Sequence, residues 1–313
     1  MAGCNRMDID AVYTWVNHLD PQWKKQYEAV CRLDVDAGSS DETANTLARF
    51  QNRNELVYSV NSLKKHAPWI RNIFVVTNCE IPSSIASDAR LKVISHEQVF
   101  PDVSVLPSFN SRAIESNLHR IPGLSEHFLY LNDDFFLCKN VEPTEFFSSD
   151  GTPYVFPSRH DMPYKKAEPL SSFEYGALNA CRLIIEETGF RPQKRLHHAP
   201  YPLVRSVLEE IESKYREVLD KTREHKFRHE DDLPLATSMH AYYSVAHARG
   251  VLRDIRCRYI DIGDPLCIFL IHPFSPLRRG HYTTCCINEV TDIKIFSGLR
   301  DKIVQRLLRK MFS

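Results

Sequence analysis

The sequence predicts an α/β fold in which a mostly parallel, Rossmann-like sheet is flanked by helices. Three observations indicate this class. Short apolar, strand-like runs recur at residues 8–16, 73–77, 91–95 and 128–131, helical stretches separate them, and polar residues follow the strand ends. Strands that alternate with helices form mostly parallel sheets. Because such sheets bind ligands at the carboxyl ends of their strands, the polar residues after each strand are the first candidates for a functional site.

Apolar spacing marks the helices of the first half. Residues 22–31 and 112–119 have helical patterns, and Leu56, Val60 and Leu63 recur on one face of a predicted amphipathic helix. All three segments lie between predicted strands, where helices would cover the sheet.

The second half is predicted to be largely helical. Residues 204–219 carry one apolar stripe, and residues 233–249 form another helix. Short strands are expected around residues 255–262 and over 266–272. Residues 157–172 are rich in proline, serine and charge, which indicates a loop or a lid.

Composition excludes several classes of function. The 313 residues include 40 Lys+Arg and 40 Asp+Glu, and a zero net charge argues against a general nucleic-acid-binding protein. No apolar run approaches the roughly 20 residues that span a bilayer, and the start of the sequence lacks the apolar segment of a signal peptide. Nine irregularly spaced cysteines without a CxxC motif predict reduced thiols. We therefore expect a cytoplasmic protein.

Several catalytic motifs are absent from the sequence. It contains no GxGxxG, no Walker A loop, no HExxH, no GxSxG and no zinc-type cysteine spacing. Their absence disfavours dinucleotide redox enzymes, P-loop ATPases, zinc enzymes and serine hydrolases.

The strongest chemical signal lies at residues 129–137 (LYLNDDFFL), where Asn132, Asp133 and Asp134 interrupt an apolar run. Buried carboxylates are costly unless a partner compensates them. Adjacent carboxylates after a strand suit Mg²⁺ or Mn²⁺ held together with a substrate phosphate. The alternative is a turn with solvated aspartates, but the apolar residues on both sides favour the metal site.

A second polar cluster follows the first predicted strand. Residues 15–21 include Asn17 and Asp20, whose side chains could bind a base or a ribose. Asn, Asp and Pro are also the usual residues of turns, so turn formation is the alternative.

A third cluster comprises residues 196–202 together with Arg205 and contains two histidines before a proline. A neutral imidazole such as that of His198 suits the removal of a proton from a sugar hydroxyl near neutral pH. The alternative is a pair of surface histidines in a loop.

A fourth cluster lies at residues 226–232. Lys226 and Arg228 could clamp phosphates, because a guanidinium fork matches phosphate oxygens. Asp231 and Asp232 could bind a metal or cap the helix that follows, since Asp is favoured at helix caps.

The end of the sequence predicts a basic amphipathic helix. Within residues 299–313, apolar positions share one face and lysines and arginines share the other. Such a helix can lie on an anionic bilayer, or it can dock its apolar face on the protein core. The sequence leaves both alternatives open.

Taken together, the motifs resemble the Stealth family of sugar-1-phosphate transferases. The resemblance is carried by IDAVYTWVN, NELVYSVNSLKKHAPWIRNIFVVTN, LPSFNSRAIESNLHRIPGLSEHFLYLNDDFFL, HAPYPLVRS, FRHEDDL and CCINE, which are spread over most of the chain. The family builds bacterial capsules with phosphodiester linkages, and the animal lysosomal-enzyme GlcNAc-1-phosphotransferase is a relative. Glu289 stands in the last block where many members have Asp.

The resemblance implies a nucleotide-sugar site in a Rossmann-like, GT-A-related core with bound Mg²⁺ or Mn²⁺. Asp133 and Asp134 match the family's acidic pair, the predicted metal ligands. From the clusters and the resemblance together, the residues predicted to bind substrate are Asn17, Asp20, Asn110, Ser111, His119, Asn132, Lys226, Asp232 and Asn288. The predicted catalytic residues are His198, Asp134, Glu115, Arg228 and Arg205.

The resemblance further implies transfer of a hexose-1-phosphate, such as GlcNAc-1-phosphate or ManNAc-1-phosphate. A hydroxyl of a nascent capsular polysaccharide would attack the β-phosphorus of a UDP-sugar, UMP would leave, and a phosphodiester would form. Arg205 and Arg228 would stabilise the transferring phosphate. His198 would be the general base, with Glu115 or Asp134 as rivals. A GT-A glycosyltransferase that releases UDP is the alternative.

We expect one integrated catalytic domain with three parts. Residues 1–150 would bind the nucleotide sugar, and residues 151–298 would complete the acceptor side with a helical insertion. Residues 299–313 form the basic helix, which is the candidate for a peripheral contact with the inner face of the membrane.

Overall fold

The computed structural model describes residues 7–33, 53–166, 170–264, 267, 281–289 and 297–312. The strands in these ranges are β1 (Ile9–Thr14), β2 (Ile73–Val76), β3 (Leu91–Ile94), β4 (His127–Asn132), β5 (Phe135–Leu137), β6 (Tyr154–Val155), β7 (Pro157–Asp161), β8 (Lys194–Leu196), β9 (Tyr201–Val204), β10 (Val251–Leu252), β11 (Cys257–Asp261) and β12 (Thr284–Asn288). The helices are α1 (Pro21–Leu33), α2 (Glu55–His66), α3 (Ser83–Ala86), α4 (Ser111–Glu115), α5 (Ser172–Thr188), α6 (Arg205–Lys214), α7 (Arg216–Glu224), α8 (His240–Ala246), preceded by a π-helical segment (Leu235–Met239), and α9 (Ser297–Phe312).

The main sheet has five strands in the order β3-β2-β1-β4-β9. The first four are parallel to their neighbours, and β9 runs antiparallel to β4 at one edge. This confirms the predicted, mostly parallel sheet. The order of the strands reverses between β1 and β4, and such a switch point opens a crevice at the carboxyl ends of the two strands. Thr14 pairs with Asn132, so β1 and β4 end at the same level.

Both faces of the main sheet are covered. Along β1, Ala11 and Tyr13 pack into a core shared with α1 and α2, whereas Val12 packs into a second core shared with α5, α6 and α8. Alternate residues of a strand point to opposite faces, so β1 must be apolar on both sides. This arrangement of layers is that of an α/β protein and confirms the predicted fold class.

A second sheet begins where β4 ends. Its order is β11-β12-β5, with β12 antiparallel to β5. Only Asp133 and Asp134 separate β4 from β5, so the apolar run around the two aspartates is a pair of strands in different sheets joined by a tight turn. Strands from both sides of residue 150 pair in each sheet, β4 with β9 and β5 with β12.

The predicted helix over residues 112–119 is shorter in the structure. α4 ends at Glu115 and a 3₁₀ turn follows. The side chains of Ser116 and Asn117 donate to the Ala113 carbonyl, where they compete with helical backbone bonds. Apolar spacing does not reveal this competition, which is why the predicted boundary is wrong.

The other predictions for the second half differ from the structure in detail. The helix over residues 204–219 is divided into α6 and α7, and the one over 233–249 is the π-helical segment followed by α8. The loop expected at 157–172 contains β7, which pairs with β8. The strand expected over 266–272 lies outside the described residues, Cys267 excepted.

The C-terminal helix α9 is docked on the core. Val304, Leu308 and Phe312 are no more than 2% exposed, and the rings of Phe312 and Phe136 stack with their centroids 5.3 Å apart. The protein itself therefore covers the apolar face, which favours docking over insertion into a bilayer. Among the described residues, no helix has both the length and the apolar character needed to cross a membrane.

Candidate active site

The candidate site lies at the carboxyl edge of the main sheet, where β1 and β4 end side by side. Asp133 and Asp134 form the turn after β4. The Ile287 N–H donates to the Asp134 carbonyl at 3.0 Å, so β12 holds this turn from the second sheet. Asn288 is the next residue of β12, so it follows the residue that contacts this turn, and its binding of substrate stays a prediction.

The two aspartates are partly buried and lie close to other carboxylates. Burial raises the pKa of Asp133 well above its usual range, and the charges of Asp134 and Glu55 add to the rise. Burial also raises the pKa of Asp134 to about 7, with the Cys286 thiol opposing the shift and Glu55 adding to it. Asp134 Oδ1 is buried and has no hydrogen-bond partner among the described residues. Carboxylates in this state are suited to receive a cation.

Cys286 contacts the acidic pair from β12. Its thiol donates to Asp134 Oδ2 at 3.3 Å, and its side chain is fully buried. The contact orients the Asp134 carboxylate and leaves Oδ1 for another partner. The sequence analysis did not select Cys286, and its place in the CCINE block was the available signal.

Glu55, at the start of α2, is a third carboxylate near the pair that the sequence analysis did not select. It is 8% exposed and acts electrostatically on both aspartates. It forms an ion pair of 3.8 Å with Arg53, and Arg53 also bonds to Glu289. An acidic residue in the first turn of a helix is common, so Glu55 gave no distinct signal of its own.

Arg228, Ser111 and Glu115 form one cluster. The Arg228 guanidinium donates from Nε and Nη2 to Ser111 Oγ at 3.0 and 2.7 Å. Glu115 lies one turn further along α4, and burial raises its pKa against the opposing charge of Arg228. Lys226, two residues before Arg228, donates instead to a backbone carbonyl. Three predicted residues are therefore together, while Lys226 is engaged by the protein itself.

Tyr130, in the middle of β4, links this cluster to the acidic edge. Its hydroxyl donates to Asn132 Oδ1 at 2.9 Å and lies 3.0 Å from Thr14 Oγ1. It also interacts with the Glu115 carboxylate. A chain of hydrogen bonds thus connects α4 with the ends of β1 and β4, and Tyr130 is a member that the sequence analysis missed.

His198 lies in an aromatic cluster beside β5. Its ring centroid is 6.5 Å from that of Phe135, 5.4 Å from Phe173 and 5.2 Å from Tyr259. Burial, with a contribution from nearby cationic side chains, lowers its pKa to about 4. The imidazole is therefore neutral near pH 7. Because Phe135 directly follows Asp134, His198 belongs to the same edge of the molecule.

Asn110 and Asp232 support the loop that carries Arg228. Asn110 Nδ2 donates to Asp232 Oδ2 at 2.8 Å, and Asn110 Oδ1 caps α4 by accepting the Arg112 N–H at 3.0 Å. Asp232 Oδ1 lies 2.7 Å from His225 Nδ1. Both residues are buried, and their hydrogen bonds position α4 and this loop.

Asn17 and Asp20 shape the turn after β1. Asn17 Oδ1 accepts the Leu19 N–H at 3.1 Å. Asp20 Oδ1 accepts the N–H groups of Gln22 and Trp23 at 2.9 and 3.0 Å and so caps α1. These are the turn roles considered as the alternative. Both residues also lie at the edge that carries the acidic pair, and their binding of a base or ribose stays a prediction.

Arg205 lies at the opposite edge of the main sheet. It follows β9, whose Val204 pairs with His127 at the start of β4. Since β4 has six residues and a strand rises about 3.3 Å per residue, the length of β4 separates Arg205 from the acidic pair. Its Nε lies 3.7 Å from Glu126. The structure does not bring this predicted catalytic residue to the site.

His119 belongs to a separate buried network. Its Nε2 lies 2.7 Å from a Glu212 carboxylate oxygen, and Arg120 and Arg223 bond to the same carboxylate. Burial alone would raise the pKa of Glu212, but these partners outweigh it and hold the pKa far below its usual range. The network joins the 3₁₀ turn after α4 to α6 and α7, away from the other predicted residues.

The fold and the site define an α/β protein with an acidic pair at the switch point of its sheet. Family models match it in three places: Stealth protein conserved region 1 at residues 7–30, conserved region 2 at residues 49–155 and conserved region 3 at residues 197–244. The chain belongs to the Stealth family, and the resemblance found in the sequence is confirmed.

Curated relatives carry phosphotransferase names. An exopolysaccharide phosphotransferase of Streptomyces coelicolor is 42% identical over 262 residues, which cover 83% of this chain and 44% of that protein. Capsular polysaccharide phosphotransferases of Haemophilus influenzae and Aeromonas hydrophila are 36% and 35% identical, covering 81% and 82% of this chain and 70% and 71% of theirs. The chain spans about half, or less, of the length of the Streptomyces relatives it matches.

Solved structures of sugar transferases are also similar to this chain. The galactosyltransferase LgtC, in complex with donor and acceptor sugar analogues, superposes with a TM-score of 0.46 and 9% identity over 97% of this chain and 96% of its own. Mouse xyloside xylosyltransferase 1 superposes with a TM-score of 0.40 and 11% identity over 90% and 96% of the two chains.

Proposed function

We propose that this chain transfers a hexose-1-phosphate from a UDP-sugar to a hydroxyl of a growing capsular glycan, forming a phosphodiester and releasing UMP. The observation that carries the proposal is the Asp133–Asp134 turn at the switch point, with Asp134 Oδ1 buried and unpaired among the described residues. The names of the relatives, exopolysaccharide and capsular polysaccharide phosphotransferases, support the reaction class.

A divalent cation fits the residues present. Mg²⁺ is usually bound by one or two carboxylates together with substrate phosphates and water, and Asp133 and Asp134 supply two carboxylates at one turn. Within the described ranges, no group of three or more His, Cys, Asp or Glu side chains converges as a complete metal site, so the donor diphosphate and water would complete the set. Bound there, Mg²⁺ or Mn²⁺ would neutralise charge on the diphosphate.

Arg228 is the proposed partner of the transferring phosphoryl group. Phosphoryl transfer depends on positioning and on neutralising charge that spreads over the phosphate oxygens. The two bonds to Ser111 Oγ fix the plane of the guanidinium, and Asn110 and Asp232 hold the two elements that carry this pair. A guanidinium fixed in this way meets a phosphate without first losing rotamer freedom.

His198 is the proposed general base for the acceptor hydroxyl. Its lowered pKa keeps the imidazole neutral at physiological pH, so a nitrogen lone pair is available. The aromatic rings around it restrict its orientation. Glu115 remains the rival base, because burial raises the pKa of its carboxyl and so makes the ionised carboxylate a stronger proton acceptor than an exposed one.

The nucleotide product tests the proposal. The protein is incubated with Mg²⁺, a panel of UDP-sugars and capsule oligosaccharide acceptors, and UMP is separated from UDP. UMP formed in step with a phosphodiester product is the expected result, because attack at the β-phosphorus expels UMP. UDP as the product would mean attack at the anomeric carbon, and a glycosyltransferase would replace the proposed function.

A further inference from the structure

Helix α9 and the end of α2 together carry a row of exposed cations. We call the set Lys65, Lys302, Arg306, Arg309 and Lys310 the α9 basic face; all five residues are exposed. Lys65 Nζ donates to the Met311 carbonyl at 3.2 Å, which places Lys65 alongside the helix. Residues 302–312 contain no acidic residue, so no carboxylate within this stretch balances the row.

Some other cations of the surface are balanced by nearby carboxylates. Lys194 and Arg249, for example, are paired with carboxylates at 2.6 and 2.7 Å. Among the described residues, no ion pair to a carboxylate involves any cation of the α9 basic face. The whole chain has a net charge of zero, so the face is a local excess of positive charge on an otherwise balanced protein.

The apolar side of α9 cannot serve the same partner. Val304, Leu308 and Phe312 are buried against the protein, which leaves charge as the basis of any contact. The amphipathic helices that bind bilayers firmly insert an apolar face in addition to their charges. A helix surface that offers positive charge but no apolar side chains for insertion is better suited to bind a soluble polyanion than a membrane.

The face also lies near the candidate active site. Phe136, on which Phe312 stacks at 5.3 Å, is two residues after Asp134, and two strand residues span about 7 Å. Lys302, Arg306 and Lys310 recur every four residues, so they follow the helix axis over about 12 Å. These cations therefore form a linear row along α9, and α9 ends close to the acidic pair.

We infer that the α9 basic face binds the phosphodiester backbone of the glycan that this chain elongates. The inference rests on the proposed function, because each transferred hexose-1-phosphate leaves one negative charge in the product. A growing product is then a linear polyanion. A linear row of cations that form no ion pair among the described residues is complementary to it. Binding strengthens with product length and keeps the glycan near the site between transfers.

Binding of a defined polyanion, without donor or turnover, tests this inference. The probes are poly(glycerol phosphate), dextran as a neutral polymer, and vesicles of phosphatidylcholine with phosphatidylglycerol. The test variant is Lys302→Gln/Arg306→Gln/Arg309→Gln. The matched control is Arg182→Gln/Arg216→Gln/Lys221→Gln, which removes three exposed cations from α5 and α7.

The wild-type chain and the control are expected to bind poly(glycerol phosphate) with an affinity that falls steeply with salt, and not to bind dextran. The test variant should bind about tenfold more weakly at low salt, with a log–log salt slope smaller by about two, since each lost phosphate contact removes about 0.7. Equal binding by both variants would overturn the inference. Binding of the vesicles but not of the polymer would overturn it in favour of an anionic bilayer.

This result is separable from the test of the proposed function. The binding measurement needs no nucleotide product, and the assay for UMP needs no polymer. If only the inference about the α9 basic face is wrong, the test variant and the control will bind the polymer equally while UMP is still formed. Loss of the proposed function would appear as UDP formation or no turnover.

Discussion

Two acidic clusters of this protein have opposite electrostatic character. Glu212 is surrounded by His119, Arg120 and Arg223, and its pKa lies far below the usual range. Asp133 and Asp134 have each other and a further carboxylate as neighbours, and their pKa values are raised. Both carboxylate oxygens of Glu212 are hydrogen-bonded within the chain, whereas Asp134 Oδ1 has no partner among the described residues.

The difference separates a structural role from a functional one. A buried carboxylate with several cationic partners stabilises the fold, since removing it leaves those cations unpaired. A buried carboxylate beside others lowers stability in the free protein and is retained where a ligand compensates it. On this reasoning the Glu212 network joins helices, and we expect the acidic pair to bind the donor together with a cation.

Neutralising the acidic pair is expected to have the largest effect on turnover. Asp133→Asn or Asp134→Asn removes a charge while keeping the shape, and should lower turnover by about 10³-fold or more, the scale of losing a principal electrostatic contact in an active site. The free energy of unfolding should stay equal or rise, because repulsion is relieved. Product formation and urea unfolding of the same samples check both parts. Full activity in either variant would contradict the assignment.

The opposite outcome is expected at Glu212. Glu212→Gln leaves Arg223 and its neighbours without a negative partner and should destabilise the fold by about 3–5 kcal/mol. Denaturant unfolding measures this loss. A variant as stable as the wild type would show that the network does not support the fold.

Two arginines sharpen the comparison between the edges of the sheet. Arg228→Gln should reduce turnover by about 10²-fold, because it would remove the positive charge that we propose to stabilise the transferring phosphate. Arg205→Gln should change turnover by no more than about threefold, since Arg205 lies at the other edge beside Glu126. The turnover of the two variants is measured under the same conditions. Equal losses of turnover would show that Arg205 takes part in the reaction.

The smallest expected effect is a pH dependence of stability at His240, which is fully buried. Its Nε2 accepts the Val204 N–H at 3.1 Å, and burial lowers its pKa to about 3. Between about pH 6.5 and 3 the unfolded chain therefore binds more protons at this position, so stability falls as pH falls. From pH 7 to 5 the loss should be about 2 kcal/mol.

His240→Gln provides the matched variant for this pH effect, because its amide oxygen can still accept the Val204 N–H. It should flatten the dependence on pH in that range. Urea unfolding of wild type and variant at the two pH values measures the difference. Identical slopes would show that His240 is not the group responsible.

Much of the fold could be predicted because its signals are local. Apolar runs predicted β1, β2, β3 and β4, and the two aspartates inside an apolar run indicated the candidate site. What the sequence could not show is which side chains meet from distant elements. Glu55 and Cys286 are 231 residues apart in the chain (286 − 55), yet both act on Asp134.

The same limit explains the residues that lie away from the site. His119 and Arg205 occur in motifs next to residues of the candidate site, but neighbouring positions on a short helix or strand face different directions. Arg205 is separated from the acidic pair by the length of β4 because β9 runs antiparallel to it. Strand direction is a property of the tertiary fold. The position of Arg205 near other motifs in the sequence therefore did not show where it lies in the structure.

Donor binding is the measurement that tests the central claim most directly. Calorimetric titration of a UDP-sugar, with and without Mg²⁺, is carried out on the wild type, on Asp134→Asn and on Asp161→Asn, whose carboxylate is exposed and paired with Lys194. We predict Mg²⁺-dependent binding by the wild type and by Asp161→Asn, and its loss in Asp134→Asn. Binding by Asp134→Asn that is as tight and as dependent on Mg²⁺ as in the wild type would contradict the account.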